Sequence, residues 1–312
     1  MMRVAGIDIG TLTCRLLIAE VGESGPVKTI HSGRKILRLG EGVDQTKSLN
    51  AAAMTRVIAA LTEWKGEIES YDVKAFVAVA TSAVRDAVNR EAFLSRVKTE
   101  AGMDVEIIDG EEEARLTLLG IRSGLSPHIE DFLGLDIGGG STEFILSRSG
   151  EPPQAVSIDL GVVRLTERVL RSDPPLEGEL ADAERLTVEM TRQAVKKLGG
   201  VEGLPLVGTA GTITSLAAIA QELTTYDPYR IHNFSLGLAT VREVERVVAS
   251  RTRQEREGMA GLEAGREEVI VAGTLLLRCI MEEVHAEKCL VSEYGLREGV
   301  LVDLAQRCRQ QT

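Results

Sequence analysis

The sequence predicts an α/β protein built from two similar domains, and three observations carry that prediction. Residues Gly6 to Ile18, GIDIGTLTCRLLI, align without a gap on Gly134 to Leu146, GLDIGGGSTEFIL, at a constant offset of 128 residues. Such a repeat is far longer than a solenoid period, so it suggests two domains that each give one loop to a shared cleft. Short apolar strands alternate with amphipathic helical stretches along the chain. Finally, 312 residues at 44% hydrophobic composition suit two domains of ordinary size better than one.

Taken in order, residues 3–9 and 13–21 read as a strand pair, with GESGP as the following turn and 27–39 as a further strand. Leu49 to Ile68 reads as an amphipathic helix whose Trp64 packs inward, and Ala75 to Ala80 as a short strand entering a helix that carries Arg85. Asn89 is placed to cap a helix running to Ala101, 104–108 to form a strand, and Gly110 to precede the helix EEEARLTLLGIRSG. The polar stretch Ser123 to Asp131 is the expected boundary, giving a first domain over 1–124 and a second over 125–312. The second domain starts with the central hairpin and continues through a strand at 155–159 and a helix beyond Gly161 bearing Arg164 and Arg168. Helices near Leu180 to Leu198 and Thr240 to Ser250 follow, with a loop at Tyr226 to Asn233 between them. Arg251 to Arg266, of mixed charge, is expected to be exposed, whereas VIVAGTLLL marks a buried helix. Cys289 to Ser292 reads as the last strand, and a terminal helix, about 295–312, is able to pack back on the first domain.

The repeat also locates chemistry. It places Asp8 with Asp136, Gly10 with Gly138, Thr13 with Ser141 and Arg15 with Glu143. Gly138, Gly139 and Gly140 remove every Cβ from one turn, so backbone amides can converge on an anion, and Ser141 and Thr142 add hydroxyl donors. A carboxylate such as Asp136 beside a phosphate loop makes sense when a divalent cation lies between them. A third glycine loop, LVGTAGTITSLA at 206–217, joins a short apolar stretch to a helix through Gly208, Gly211 and Thr212, and helix N-termini favour anions. Thr81, Ser82 and Arg85 form a further set of anion donors. On the residues alone, a capped glycine hairpin and an N-cap with a surface arginine remain alternatives for these stretches.

Bulk properties narrow the partners. A net charge of −11 argues against general binding to nucleic acid or an anionic membrane, so an anionic substrate must meet a local basic cluster. The candidates are Arg34, Lys35, Arg38, Arg85, Arg164, Arg168, Arg230 and His232. No stretch approaches a membrane span and MMRVAGIDIG lacks a signal-peptide layout, so a cytoplasmic protein is expected. Cys14, Cys279, Cys289 and Cys308 show no metal-ligand spacing.

Seven motifs together resemble one family: VAGIDIGTLTCRLLIAEV, RLGEGVD, VATSAVRDAVN, IIDGEEEARLTLLG, LDIGGGSTEFIL, VGTAGTITSLAA and VSEYGLREGVL. The chain resembles the exopolyphosphatase and guanosine-pentaphosphate phosphatase (Ppx/GppA) family of the actin, sugar-kinase and heat-shock-chaperone superfamily. The resemblance implies two ribonuclease-H-like, actin-like ATPase domains around a central cleft. It implies a phosphoanhydride hydrolase that releases terminal phosphate from inorganic polyphosphate, the 5'-phosphate of guanosine pentaphosphate, or both. Within that pattern Glu113 is the general base, Arg85 clamps substrate oxygens, and Asp8, Asp136 and Glu143 hold Mg2+, with Mn2+ as a substitute. Thr11, Thr13, Ser141 and Thr142, the amides of Gly138 to Gly140, and the loop of Gly208, Gly211 and Thr212 would cradle phosphate. The first loop departs from the family's Ser-Asn-Ser by reading Thr11-Leu12-Thr13, and the chain lacks the added helical domains of longer relatives, so short substrates are expected to do at least as well as long ones. Assembly as a homodimer is compatible with the pattern. The rival readings are an ATP-dependent sugar or carboxylate kinase of the same superfamily and a non-catalytic nucleotide-binding regulator.

Overall fold

Nearly continuous apolar strands are what a sheet covered on both faces requires, and the central strands of both sheets are of this kind. The structure, a computed structural model, describes residues 1–23, 27–125 and 129–310. Part of the GESGP turn and part of the Ser123 to Asp131 boundary therefore lie outside the described residues. The chain forms two compact units, one of Met1–Gly124 with the segment from Tyr294 onward, the other Leu125–Glu293.

In the first unit β1 (Met2–Ile9) and β2 (Thr13–Val21) form an antiparallel hairpin, β3 (Lys28–Ile36) extends it, and β4 (Ala75–Ala80) and β5 (Glu106–Ile107) add in parallel. The order is β3-β2-β1-β4-β5. Successive side chains alternate between two cores. Ala5, Ile7 and Ile9 with Cys14, Leu16 and Ile18 face the helix Ala51–Ser70, whose Val57, Leu61 and Trp64 complete one cluster. Val4, Leu17, Ala19, Val77 and Val79 face the other way, onto Leu116 of the helix Gly110–Gly124 and Val300, Leu301 and Leu304 of the terminal helix Leu296–Gln310.

Those last two helices touch backbone to backbone. A Cβ on Gly120 would fall against the carbonyl of Gly295, 2.7 Å from its carbon and 2.9 Å from the nitrogen of Gly299. A Cβ on Gly299 would fall against the carbonyl of Leu116, 2.6 Å from its carbon.

The second unit repeats this plan. Here β6 (Phe132–Ile137) and β7 (Thr142–Ser147) form the hairpin, β8 (Gln154–Ile158) extends it, and β9 (Leu206–Thr209) and β11 (Lys288–Val291) add in parallel. A short antiparallel strand, β10 (Ser235–Gly237), edges the sheet, whose order is β10-β11-β9-β6-β7-β8. Five of these strands match the first sheet in order and direction, so each unit is ribonuclease-H-like. Every residue of β6 and β7 is buried. The buried helix Ile270–Glu283 covers VIVAGTLLL, in agreement with the sequence.

Two expectations change. Asn89 stands at the N-cap of the helix Arg90–Arg96, its carbonyl accepting from Ala92 N at 3.1 Å, but its side chain makes no cap bond and instead accepts from Leu49 N at 2.8 Å and donates to Leu49 O at 3.0 Å, tying two segments together. Arg251 to Arg266 is not uniformly exposed, because Arg256 and Arg266 are buried. Arg256 donates to the carbonyls of Val248, Arg251 and Glu267, so a guanidinium serves there as a backbone staple.

Candidate active site

The two hairpin turns are the same turn. Gly10 N–H donates to Thr13 O at 3.1 Å and Gly138 N–H donates to Ser141 O at 3.0 Å, residues related by the repeat. Asp8 lies opposite Arg15 in the first ladder and Asp136 opposite Glu143 in the second, also as the repeat requires.

In the second unit the carbonyls of the glycine loop all turn toward the helix Val162–Arg168. Gly138 O accepts from Val162 N at 3.0 Å, Gly139 O from Val163 N at 2.8 Å and Gly140 O from Arg164 Nε at 2.5 Å. Gly161 makes the approach feasible, since a Cβ there would lie 2.5 Å from Gly139 C. In a planar trans peptide the N–H points opposite to the C=O. The N–H groups of Gly139, Gly140 and Ser141 are therefore aimed away from the helix as a set, the arrangement that makes a backbone anion nest. Gly138 contributes differently from the expectation, because its N–H closes the turn.

Other predicted donors brace this loop. Thr142 Oγ1 donates to Leu160 O at 2.6 Å and Thr212 Oγ1 to Ile137 O at 3.0 Å, which commits both hydroxyl protons to the main chain. Arg164, expected on a basic surface track, is buried against Gly140 O. Ser141 is buried as well. Gly208 O accepts from Ser292 N at 2.7 Å, and a Cβ on Gly208 would lie 2.7 Å from Cys289 Sγ, so that glycine serves packing between strands. Gly211 opens the helix Ala210–Ala220 against the guanidinium of Arg266, a buried cation that the sequence reading did not single out. Ala210 holds φ at 70°, a strained value for a residue with a Cβ.

Asp136 and Glu143 are only 7% and 1% exposed, on facing ladder positions. Ser157 Oγ donates to Glu143 Oε1 at 2.8 Å. Among the described residues no three His, Cys, Asp or Glu side chains gather closely enough to hold a metal ion. The pair alone fits magnesium, which takes one or two carboxylates and keeps waters or phosphate oxygens for the rest of its shell. Two carboxylates buried side by side are also costly unless a cation compensates them.

In the first unit the helix Gly110–Gly124 starts with Asp109 Oδ1 accepting from Glu112 N at 2.8 Å. Its three successive glutamates separate cleanly. Glu111 is exposed, Glu112 pairs with Arg115 at 2.7 Å, and Glu113 turns inward at 7% exposure. Arg85 Nη1 donates to Ile108 O at 3.0 Å and approaches Glu113 Oε2 at 3.4 Å, so this arginine holds the inward carboxylate. Thr11 Oγ1 and Ser82 Oγ share a hydrogen bond at 2.9 Å, and Thr11, Thr13 and Ser82 are all buried. Leu12 is buried too, its side chain 5% exposed. Burial pushes the thiols of Cys279 and Cys289 up to about 12, and burial with the nearby Asp8 charge pushes Cys14 up further. None of the three is a nucleophile at neutral pH.

Comparison with known proteins agrees with this geometry. The sequence profile of the Ppx/GppA phosphatase family matches residues 17–308. Exopolyphosphatase 2 of Mycobacterium tuberculosis is 37% identical over 315 residues, covering 97% of this chain and 98% of that protein. Among solved structures, the Ppx/GppA member from Aquifex aeolicus is 34% identical with a TM-score of 0.81, covering 98% of each chain. An exopolyphosphatase from Cytophaga hutchinsonii is 28% identical with a TM-score of 0.88, again covering 98% of each chain. With its paired loops, its inward Glu113 and a family match over nearly its whole length, the chain belongs to the Ppx/GppA phosphatase family.

Proposed function

We propose that the protein is a metal-assisted phosphoanhydride hydrolase that releases terminal phosphate from inorganic polyphosphate or the 5'-phosphate of guanosine pentaphosphate, with Glu113 as the general base. The observation that carries this reading is the doubled loop, in which one turn geometry recurs with a carboxylate two residues before its first glycine. Hydrolysis of this kind asks for donors on the phosphoryl oxygens, charge compensation, and a base for water. The N–H groups of Gly139, Gly140 and Ser141 supply fixed donors that need no reorganisation as charge builds. Glu113 takes the proton of the attacking water on a carboxylate oxygen, and Arg85 at 3.4 Å orients that carboxylate. Asp136 and Glu143, with Asp8 as their counterpart in the first unit, would hold Mg2+. When bound, that ion neutralises phosphoryl charge and orients oxygens.

The test is direct. The purified protein with magnesium is given polyphosphate, guanosine pentaphosphate, and ATP with sugars, and free phosphate and phosphorylated sugar are followed. Release from the first or second, with no sugar phosphate, is expected. In the Glu113→Gln variant turnover should fall by roughly 100- to 10,000-fold while substrate affinity holds. Wild-type turnover in that variant removes Glu113 from the role, and sugar phosphorylation replaces the whole reading with a kinase.

A further inference from the structure

In an antiparallel ladder, residues directly opposite each other project from the same face of the sheet. Asp136 is paired with Glu143, and Glu143 in turn with Ser157 on the outer strand β8. The three side chains thus stand in one row across three adjacent strands. Within that row Ser157 Oγ donates to Glu143 Oε1 at 2.8 Å, the usual length of a hydrogen bond from a hydroxyl to an oxygen. Ser157 is half-buried and Glu143 fully buried. The carboxylate therefore meets this hydroxyl inside the protein, and both are carried by strands rather than loops.

The first unit shows the same row without a second carboxylate. Asp8 is paired with Arg15, and Arg15 with Arg34 on β3, the strand that corresponds to β8. Where the repeat has a basic residue in the position of Glu143, it has another basic residue, and no hydroxyl, in the position of Ser157. The serine accompanies the carboxylate. The strand itself does not ask for it, since half-buried strand positions favour β-branched and aromatic side chains, as at the neighbouring Val156 and Ile158.

The bond matters for a metal ligand in a specific way. The last torsion of a glutamate is broad and roughly two-fold, so burial alone sets the plane of its carboxylate loosely. Magnesium tolerates little of that looseness, because it demands near-ideal octahedral geometry and takes only one or two protein carboxylates. A donor fixed to one oxygen fixes the plane of both. Hydrogen-bond partners one step removed from a metal typically change its affinity by about 10- to 100-fold when they are removed.

We propose that Ser157 is a positioning residue for the metal, its hydroxyl setting the orientation in which Glu143 receives Mg2+. This rests on the proposed metal-assisted reading and adds to it the residue that prepares one of the two buried carboxylates.

The test uses the full-length protein as wild type and as Ser157→Ala, Ser157→Thr and Ser157→Val. Threonine and valine share a shape and differ in the hydroxyl, so that pair separates the bond from packing. Titration with Mn2+ followed by electron paramagnetic resonance, with inorganic phosphate present and no condensed phosphate, reads metal affinity without turnover. Thermal melting without metal reports folding. Ser157→Ala and Ser157→Val are expected to bind Mn2+ about 10- to 100-fold more weakly, and Ser157→Thr to stay within about threefold of the wild type. In phosphate release from polyphosphate, the magnesium concentration for half-maximal rate should rise by the same factor in Ser157→Ala, with the rate recovering as magnesium is raised. Wild-type Mn2+ affinity in Ser157→Ala overturns the proposal, as does equal affinity in Ser157→Thr and Ser157→Val. A lower melting temperature with unchanged affinity also overturns it, because Ser157 would then only satisfy a buried carboxylate. If Ser157→Ala does not fold, the threonine and valine pair decides alone. A wild type that releases phosphate yet binds no Mn2+ and needs no magnesium refutes the metal reading itself, whereas a wild type that binds Mn2+ no better than every variant refutes only the role of Ser157.

Discussion

Replacing Gly120 by alanine is expected to loosen the helix that carries Glu113. The added Cβ would lie 2.7 Å from Gly295 C and 2.9 Å from Gly299 N, with the Gly295 carbonyl oxygen nearer still. Real Cβ atoms essentially never approach another heavy atom within 3.0 Å, and the obstacles are main-chain atoms that have no rotamer to escape into. The two helices must separate. Overpacking typically costs about 1–3 kcal/mol, and a collision with backbone on both sides belongs at the top of that range. For a chain of this size that is a fall in melting temperature of about 6–12 °C, at roughly 2–4 °C per kcal/mol. Glu113 lies seven residues, or roughly 10 Å, along the same helix, so the displacement should also lower kcat. Gly66 is the control. It is exposed within the helix Ala51–Ser70 and a Cβ there would meet nothing within 4 Å, so Gly66→Ala should stabilise by about 0.5–1 kcal/mol. Calorimetry of the three proteins decides the matter. A Gly120→Ala variant that melts with the wild type would mean the two helices are not in backbone contact.

Other expectations follow from the site and the caps. Activity should vanish in excess EDTA, return with magnesium or manganese, and need more metal for half-maximal rate in Asp136→Asn; full activity in the chelator would remove the carboxylate pair from metal binding. Iodoacetamide at pH 8 should modify the half-buried Cys308 first and leave Cys14, Cys279 and Cys289 largely intact in the folded protein, as peptide mass mapping would read. Glu179 accepts from Leu176 N at 3.0 Å and from Ser172, and those bonds hold its carboxyl below the ordinary range, with Leu176 contributing most. Its stabilisation is thus present above the unfolded value and lost as pH falls through the folded one. Glu179→Ala should melt a few degrees lower at neutral pH and match the wild type in acid; an equal deficit at both would contradict the assignment.

The sequence made the hairpins legible because an Asp, a glycine and a hydroxyl at fixed spacing leave few ways to turn, and the repeat wrote them twice. Strand Ala75–Ala80 was equally plain, being six apolar residues ahead of Thr81 and Ser82. What stayed hidden involved polar groups whose partners no hydrophobic period reveals. Mixed charge over 251–266 suggests solvent, yet a guanidinium with five donors can be buried once three carbonyls surround it, as at Arg256. Arg164 looked like a substrate ligand for the same reason, and only the position of Gly140 O shows what it holds. Strand Ser235–Gly237 has three residues, too few for any period to register.

The terminal helix has a consequence for how the molecule is made. Leu125–Glu293 is one uninterrupted run of chain, so the second unit can close as soon as it has left the ribosome. The first unit is translated earlier but stays incomplete, because Val4, Leu17, Ala19, Val77 and Val79 wait for Val300, Leu301 and Leu304 to cover them. At about 5–20 residues per second that wait lasts roughly ten seconds to half a minute. The part synthesised first is thus finished last. Through that interval its sheet presents one apolar face to the cell, the time at which the nascent chain most needs shielding.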